Sequence, residues 1–229
     1  GKKAVSVSSV GGIHLFKKDR APEGCTEYCL GGCKVKDSCI FDAEKIYVTN
    51  EKTGLKGGHS WISSVLSVEP TIENTYDALR SGQYGRCVYR CDNNVVDHQQ
   101  TNILMEDGST MSFAMCAFTE DCYRYFKAMG TKGEIEADMK SNTIRLRVFG
   151  EGEELIDLKK LTGDLKGHGG GDSGIIGDFL EMLIEGNPPT ERTTTLQSSL
   201  ESHYLALAAE ESRLNGGKLI DLQEFRSRA

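Results

Sequence analysis

Apolar and polar residues alternate along the middle of the chain. Ile144, Leu146 and Val148 are interleaved with Arg145 and Arg147, and Met111, Phe113 and Met115 with Thr110 and Ser112. A period of two sends alternate side chains to opposite faces of a sheet, so these stretches predict strands with one buried face. Six strand-length segments run in succession, over 95–105, 109–118, 123–129, 133–139, 143–149 and 154–158. Between them stand Asp107-Gly108, Gly130-Thr131-Lys132, Ser141-Asn142 and Gly150-Glu151-Gly152, all turn formers. Connections this short join antiparallel neighbours, since parallel strands need a long crossover. The pattern predicts an antiparallel meander.

Its flanks are also patterned. A strand is expected over 4–14, where Val5, Val7 and Val10 stand among serines. Thr71 is the expected N-cap of a helix ending near Arg80, with Glu73 in its first turn and Ser81-Gly82 as the stop. Residues 61–66 fit either a short helix or a strand, and 17–60 predict little regular structure. Beyond the meander, Ile175, Ile176, Phe179, Leu180 and Leu183 repeat at helical spacing, with Ser173 as cap and Gly186-Asn187-Pro188-Pro189 as stop. A second helix opens at Thr194-Thr195-Leu196-Gln197, carries Leu196, Leu200, Leu207 and Leu214, and ends at Asn215-Gly216-Gly217. The expected fold class is α+β: an open, predominantly antiparallel sheet of six or more strands with helices packed on one face. We expect one domain over 1–229, with a Cys-rich loop insertion at about 17–60. The other sheet face is left to water, a second subunit or a further domain.

A net charge of -7 and a pI near 5.3 argue against nucleic acid, which needs a basic face to displace counterions. No apolar run approaches the roughly 18 to 20 residues that span a bilayer. The amino end lacks the apolar core of a secretory signal, so the expected location is cytoplasmic, with no membrane partner. Polar Gly1-Lys2-Lys3 runs straight into strand-like alternation without an initiator methionine, and the chain reads as truncated or processed.

Candidate chemistry lies in three places. Gly167-His168-Gly169-Gly170-Gly171-Asp172 stands before a helix, where backbone N–H groups suit an anion or sugar hydroxyl, or else form a flexible connection. Residues 85–98 hold Arg86, Tyr89, Asp97 and His98. Alternation past Asn94 puts Asp97, Gln99 and Thr101 on one face and His98, Gln100 and Asn102 on the other, so neither face begins apolar. Such a strand lines a wet cleft for hydroxyl-rich substrates, or lies exposed at a sheet edge. A carboxylate such as Asp97 beside His98 would raise its pKa and fit it for acid/base work, although strand neighbours point to opposite faces. His14, His59 and His203 read as ordinary surface or core histidines.

The third place is Cys25-x3-Cys29-x3-Cys33-x5-Cys39, which holds four of the eight cysteines. A cytosolic protein does not spend such a density on disulfides. A structural zinc held by Cys25, Cys29, Cys33 and Cys39 is the functional reading. Reduced free thiols and an iron–sulfur cluster are the alternatives. Cys87, Cys91, Cys116 and Cys122 read as small core residues. There is no G-x-G-x-x-G between a strand and a helix and no G-x-x-x-x-G-K-[ST], so these residues are not expected to hold a nucleotide's phosphates.

Several phrases together resemble the carboxy-terminal domain of the Gfo/Idh/MocA oxidoreductases, the family of glucose-fructose oxidoreductase and inositol dehydrogenase. They are Ser8-Ser9-Val10-Gly11-Gly12, Gly130-Thr131-Lys132-Gly133-Glu134, and, on the last helix, Ser199-Leu200-Glu201-Ser202-His203 with Ala209-Glu210-Glu211-Ser212-Arg213-Leu214. Residues 84–98 and 167–172 look like one dehydrogenase subgroup within it. The resemblance covers nearly the whole chain and implies a dihydrodipicolinate-reductase-like domain. It also implies a Rossmann domain ahead of it that binds NAD or NADP, and hydride exchange with a sugar, polyol or cyclitol. The open sheet would line the substrate cleft and build a homo-oligomer. On that reading Arg86, Tyr89, Asp97, His98 and His168 are the expected substrate contacts, with Asp172 supporting the glycine loop.

No catalytic residue is assigned to this chain. The family's catalytic lysine lies in an E-K-P motif beside the nucleotide, and its acid/base histidine on a helix before the first strand of this domain. Neither region is present, and Glu44-Lys45 is followed by Ile46. The chain by itself is expected to have no dehydrogenase activity. A non-enzymatic sugar-binding or assembly module, zinc-stabilised or not, and a glycoside-cleaving relative with a tightly held NAD are the alternative readings.

Overall fold

The computed structural model describes residues 2–120, 122–162, 168, 170–186, 188 and 193–228. Its strands are β1 (Ala4–Gly12), β2 (His98–Met105), β3 (Thr110–Cys116), β4 (Tyr125–Met129), β5 (Gly133–Asp138), β6 (Thr143–Val148), β7 (Gly152–Asp157) and β8 (Ile220–Asp221). The helices are α1 (Ile72–Ser81), α2 (Leu158–Thr162), α3 (Gly171–Glu185), α4 (Leu196–Leu214) and α5 (Leu222–Arg228). Every strand pairing is antiparallel, in an α+β arrangement. The strands form two four-stranded sheets, ordered β3-β2-β1-β8 and β4-β5-β6-β7, where the sequence pattern reads as one larger sheet. Turn residues dictate the pairing of immediate neighbours only, and β3 and β4 are not paired with each other. The chain divides into two compact units, Ala4–Ala117 with Ala208–Ala229, and Gly1–Lys3 with Phe118–Leu207.

In the first unit, β1 and β2 are the two inner strands of their sheet. Val7 faces Ile103 and Ser9 faces Thr101 across the β1–β2 register, and all four are buried. The carboxy-terminal turns of α4 cover this region with small side chains: Ala208, Ala209 and Ser212 are buried. Ser212 Oγ accepts from the Ser9 amide at 2.8 Å and donates to the Lys218 carbonyl, stitching helix and strand together. Gly216 and Gly217, with φ of +69° and +87°, turn the chain from α4 into β8. Gln99 and Thr101, polar on the inward face of β2, are satisfied there: Gln99 Nε2 donates to Ser9 Oγ and Ser9 Oγ hydrogen-bonds Thr101 Oγ1. That side of β2 is therefore a hydrogen-bonded interior. At the end of the sheet both faces of β2 reach one cleft, through His98 and Gln100 and also through Gln99.

The insertion between β1 and α1 is mostly turns, including a π-helical turn at Lys45–Thr49 and a 3-10 turn at Ser63–Val65. Thr71 caps α1 as expected, its side chain accepting from the Asn74 amide. Two small apolar clusters hold the insertion in place. Ala43, Val48 and Leu79 join it to α1, and Cys25, Cys87 and Tyr89 join it to the segment before β2.

In the second unit, the β4–β7 sheet has no buried residue. One face carries a cross-strand charge ladder. Arg147 pairs with Glu134 and, at 2.7 Å, with Glu153; Lys127 pairs with Glu134 and Glu136 at 3.2 and 3.0 Å. Helix α3 begins after Gly170, so Ser173 lies inside it instead of capping it, and Gly186 at φ +66° ends it. Asn187 and Pro189 of the expected stop lie outside the described residues. The α3 stripe of Ile175, Ile176, Phe179, Leu180 and Leu183 is exposed. Its amphipathic period is present, but the expected sheet-facing burial is not. Helix α4 opens as expected, with Thr195 Oγ1 accepting from the Ser198 amide.

Candidate active-site cleft

One end of the β1–β2–β3 sheet opens into a cleft of about 530 Å³, lined in part by Gly11, Gly12, His14, His98, Gln100 and Met115. This volume suits a small polar ligand. The antiparallel register creates it: Gly12 lies opposite His98, and His98 opposite Cys116, so the end of β1 and the start of β2 share one rim. Gly11 permits the close approach. A Cβ there would lie 2.3 Å from the His98 carbonyl oxygen and 2.8 Å from Gln99 Cα, both backbone atoms that cannot step aside.

Asp97 anchors the rim and is only 2% exposed. Its Oδ2 accepts from the amides of His14 and Leu15, each at 2.8 Å, and more weakly from Phe16 at 3.5 Å. Its Oδ1 is 2.8 Å from His98 Nδ1. Burial by itself would raise this carboxyl's pKa. The hydrogen bonds from the Leu15 amide, the His98 ring and the His14 and Phe16 amides outweigh it, holding the group at about 2. An ionised Asp97 requires Nδ1 of His98 to carry a proton. In a neutral ring, Nε2 is then the basic nitrogen, on a side chain 49% exposed at the cleft. The His14 ring stands edge-on to His98, with centroids 6.4 Å apart.

A buried carboxylate that orients an imidazole beside an open cleft is an arrangement able to exchange a proton with a bound hydroxyl or carbonyl. Sequence neighbours do pair here, because Asp97 precedes β2 and its side chain turns under the loop after β1 instead of following the strand's alternation. His14 is the functional candidate that the sequence reading set aside. The signal was Gly11-Gly12 just before it, but this becomes legible only once β1 is known to pair with β2.

The remaining expected contacts fall elsewhere. Arg86 pairs with Asp92 at 2.9 Å and Glu27 at 3.5 Å, and its backbone bridges to Tyr28. Tyr89 is buried against Cys25 and Cys87, with its ring edge-on to Phe41 at 6.1 Å. Neither lines the cleft. His168 and Asp172 pair with each other in the second unit, Nδ1 lying 2.9 Å from Oδ2. Gly167 and Gly169 of that loop lie outside the described residues.

The cysteines make a second feature. Cys25, Cys29, Cys33 and Cys39 line one small cavity of about 20 Å³, and Cys87 lines it with them. Their sulfurs do not already converge: among the described residues no three His, Cys, Asp or Glu side chains are grouped as metal ligands. All eight cysteines are free thiols. Burial pushes the Cys87 thiol up to about 11, with the neighbouring Cys25 and Cys29 adding to it. Burial likewise raises Cys29, with Asp42, Cys39 and Cys33 contributing. Such thiols are poor nucleophiles.

No family model and no curated protein matches the chain. Among solved structures, levoglucosan dehydrogenase in complex with NADH and L-sorbose aligns with a TM-score of 0.50 at 14% identity, over 96% of this chain and 45% of that one. An oxidoreductase from Agrobacterium radiobacter, in complex with NAD+, L-tartaric acid and magnesium, gives 0.47 at 17% identity over 59% and 41%. Levoglucosan dehydrogenase in complex with NADH and levoglucosan gives 0.43 at 20% identity over 56% and 38%. The chain thus spans less than half the length of these proteins. At such identities the likeness to the first is one of fold. Among the described residues no helix is long and apolar enough to cross a membrane.

Proposed function

We propose that this chain is the substrate-binding and assembly part of a nicotinamide-dependent oxidoreductase of the Gfo/Idh/MocA type, acting on a sugar, polyol or cyclitol. The observation that carries the proposal is the Asp97–His98 pair at the rim of the β1–β2–β3 cleft, with His14 beside it. The fold shared with levoglucosan dehydrogenase, a protein solved with NADH and a sugar, supports it.

The residues present do not fit the nicotinamide cofactor. Both sheets are antiparallel, and among the described residues no glycine-rich turn leads from a parallel strand into a helix to receive a pyrophosphate. The cofactor therefore belongs on a separate Rossmann domain, and this chain's contribution is to the substrate. Nε2 of His98 accepts a hydrogen bond from a substrate hydroxyl and can take its proton. Asp97 stabilises the resulting imidazolium and fixes the ring's orientation, while Gln100 and His14 offer further polar contacts along the cleft.

The exposed α3 stripe and the half-exposed sheet of the second unit supply apolar surface for assembly with a second copy. Light scattering should then give a multiple of 25.1 kDa for this chain. Eight free thiols fit a reducing compartment, and we place the protein in the cytoplasm.

The test is to incubate the complete protein with NAD+ or NADP+ and a panel of aldoses, polyols, cyclitols and anhydrosugars, following reduced nicotinamide by absorbance. Net reduction with at least one of them is expected. Products formed with no net reduced nicotinamide would favour the glycoside-cleaving alternative. A protein that binds neither nicotinamide nor sugar would overturn the proposal.

A further inference from the structure

The cysteine-lined cavity plays no part in the cleft chemistry. Two separate stretches of chain build it. The loop of residues 25–39 supplies four thiols, and the segment after α1 supplies the fifth. Backbone hydrogen bonds clamp these stretches together: the Cys29 amide donates to the Gly85 carbonyl at 2.9 Å and the Cys87 amide to the Glu27 carbonyl at 2.8 Å. Cys87 is thereby carried to a cluster that lies far from it in sequence. Five thiols around one void is more than packing needs, because any small apolar side chain would fill it.

The thiols are not equivalent. Cys29 has Cys33, Cys39 and Cys87 as neighbours. The Cys25 sulfur accepts a hydrogen bond from Arg90 Nε at 3.4 Å and stands against Cys87. An independent observation comes from Asp42, which lines the same cavity and is 1% exposed. Its Oδ2 accepts from the Lys45 amide at 3.3 Å, while Oδ1 is buried with no hydrogen-bond partner. An unpaired carboxylate oxygen buried among thiols is costly unless a cation offsets it. Lys36 also lines the cavity, but its ammonium is taken by Glu44.

We propose that Cys29, Cys33, Cys39 and Cys87 are the ligands of one tetrahedral divalent cation of the zinc type, with Asp42 beside them and Cys25 outside the set. The void of about 20 Å³ admits one water-sized occupant, which suits a single ion better than an iron–sulfur cube. The sulfurs line the wall without meeting at a point, so binding requires cysteine side-chain rotation. The site differs from the one read off the spacing of Cys25, Cys29, Cys33 and Cys39, because its fourth ligand comes from beyond α1. It would staple an insertion poor in regular structure to the segment that leads into Asp97 and His98.

The experiment is elemental analysis of protein purified without added metal, followed by cobalt(II) titration of the metal-stripped wild type. One zinc per chain is expected, together with a thiolate-to-cobalt charge-transfer band and the intense visible bands of a tetrahedral site, saturating at one equivalent. Cys87→Ser should lose the zinc, whereas Cys25→Ser and Cys122→Ser should retain it. The wild-type cobalt spectrum decides even if Cys87→Ser fails to fold. Metal-free protein without a cobalt band, protein containing iron and sulfide, a Cys25–Cys87 disulfide in place of metal, or zinc lost from Cys25→Ser but kept by Cys87→Ser would each overturn the assignment.

Discussion

The two sheets of this molecule have the same strand count and pairing sense but are held together by different means. In β3-β2-β1-β8 the order comes from burial. Val7 and Ile103 are buried, and the polar residues on that face, Ser9, Thr101 and Gln99, are satisfied by one another and by Ser212 of α4. In β4-β5-β6-β7 no residue is buried, and the charged ladder of Lys127, Glu134, Arg147 and Glu153 runs across one face. The difference shows where a precise site can be built. Asp97 and His98 sit at the end of the sheet whose interior is closed, where the buried carboxylate is held by the His14 and Leu15 amides and in turn holds the His98 ring.

Substitutions can break this contrast, and the largest effect should come from the closed unit. Leu79 has no exposed surface, and Leu79→Ala should cost about 3 kcal/mol by removing the apolar link between α1 and the insertion. Urea unfolding would show it, and a cost like that of an exposed residue in the second unit would contradict the packing account. Next comes Gly11→Ala, whose methyl would collide with the backbone of His98 and Gln99. About 2 kcal/mol is expected, with the cleft distorted as well. An unchanged melting temperature would mean that the strands do not approach this closely.

Acid should act on the same unit. The folded Asp97 carboxyl lies at about 2, below an unfolded value of about 3.9. Its contribution is therefore complete above about pH 4 and lost as the pH falls toward 2. Thermal melts across that range should show a stability loss that Asp97→Asn lacks; identical pH profiles would count against the pairing. The smallest effect belongs to the ladder. Hydrogen bonds from Arg147 hold Glu134 and Glu153 below the usual carboxylate range, but these groups are open to solvent. Glu153→Gln should lower the melting point slightly at low salt and not at high salt, because added ions screen exposed pairs.

Much of this was legible in the sequence. Alternation and turn chemistry located β2 to β7 within a few residues, and Thr71 and Thr195 marked the starts of α1 and α4. Asp97 and His98 stood out because polar residues occupied both faces of a strand. The rest depended on distant contacts. Nothing local shows that Gly12 pairs with His98, so His14 was read as an ordinary histidine. Cys87 was likewise read as core filler, since only the folding of the insertion against the segment after α1 carries it to the other thiols. Arg86 and Tyr89 share the motif of Asp97 and His98 but not their surroundings, because the chain turns between them. The two-residue β8 and the seven-residue α5 are too short to leave a period in the sequence.

We propose that His98, held by Asp97, exchanges a proton with the substrate of a nicotinamide-dependent oxidoreductase. The most direct test is steady-state and pre-steady-state kinetics of His98→Asn in the complete protein, with substrate affinity measured separately. The account predicts a fall in kcat of about 100-fold or more with the protein still folded and still binding sugar. A kcat equal to the wild type's would contradict it.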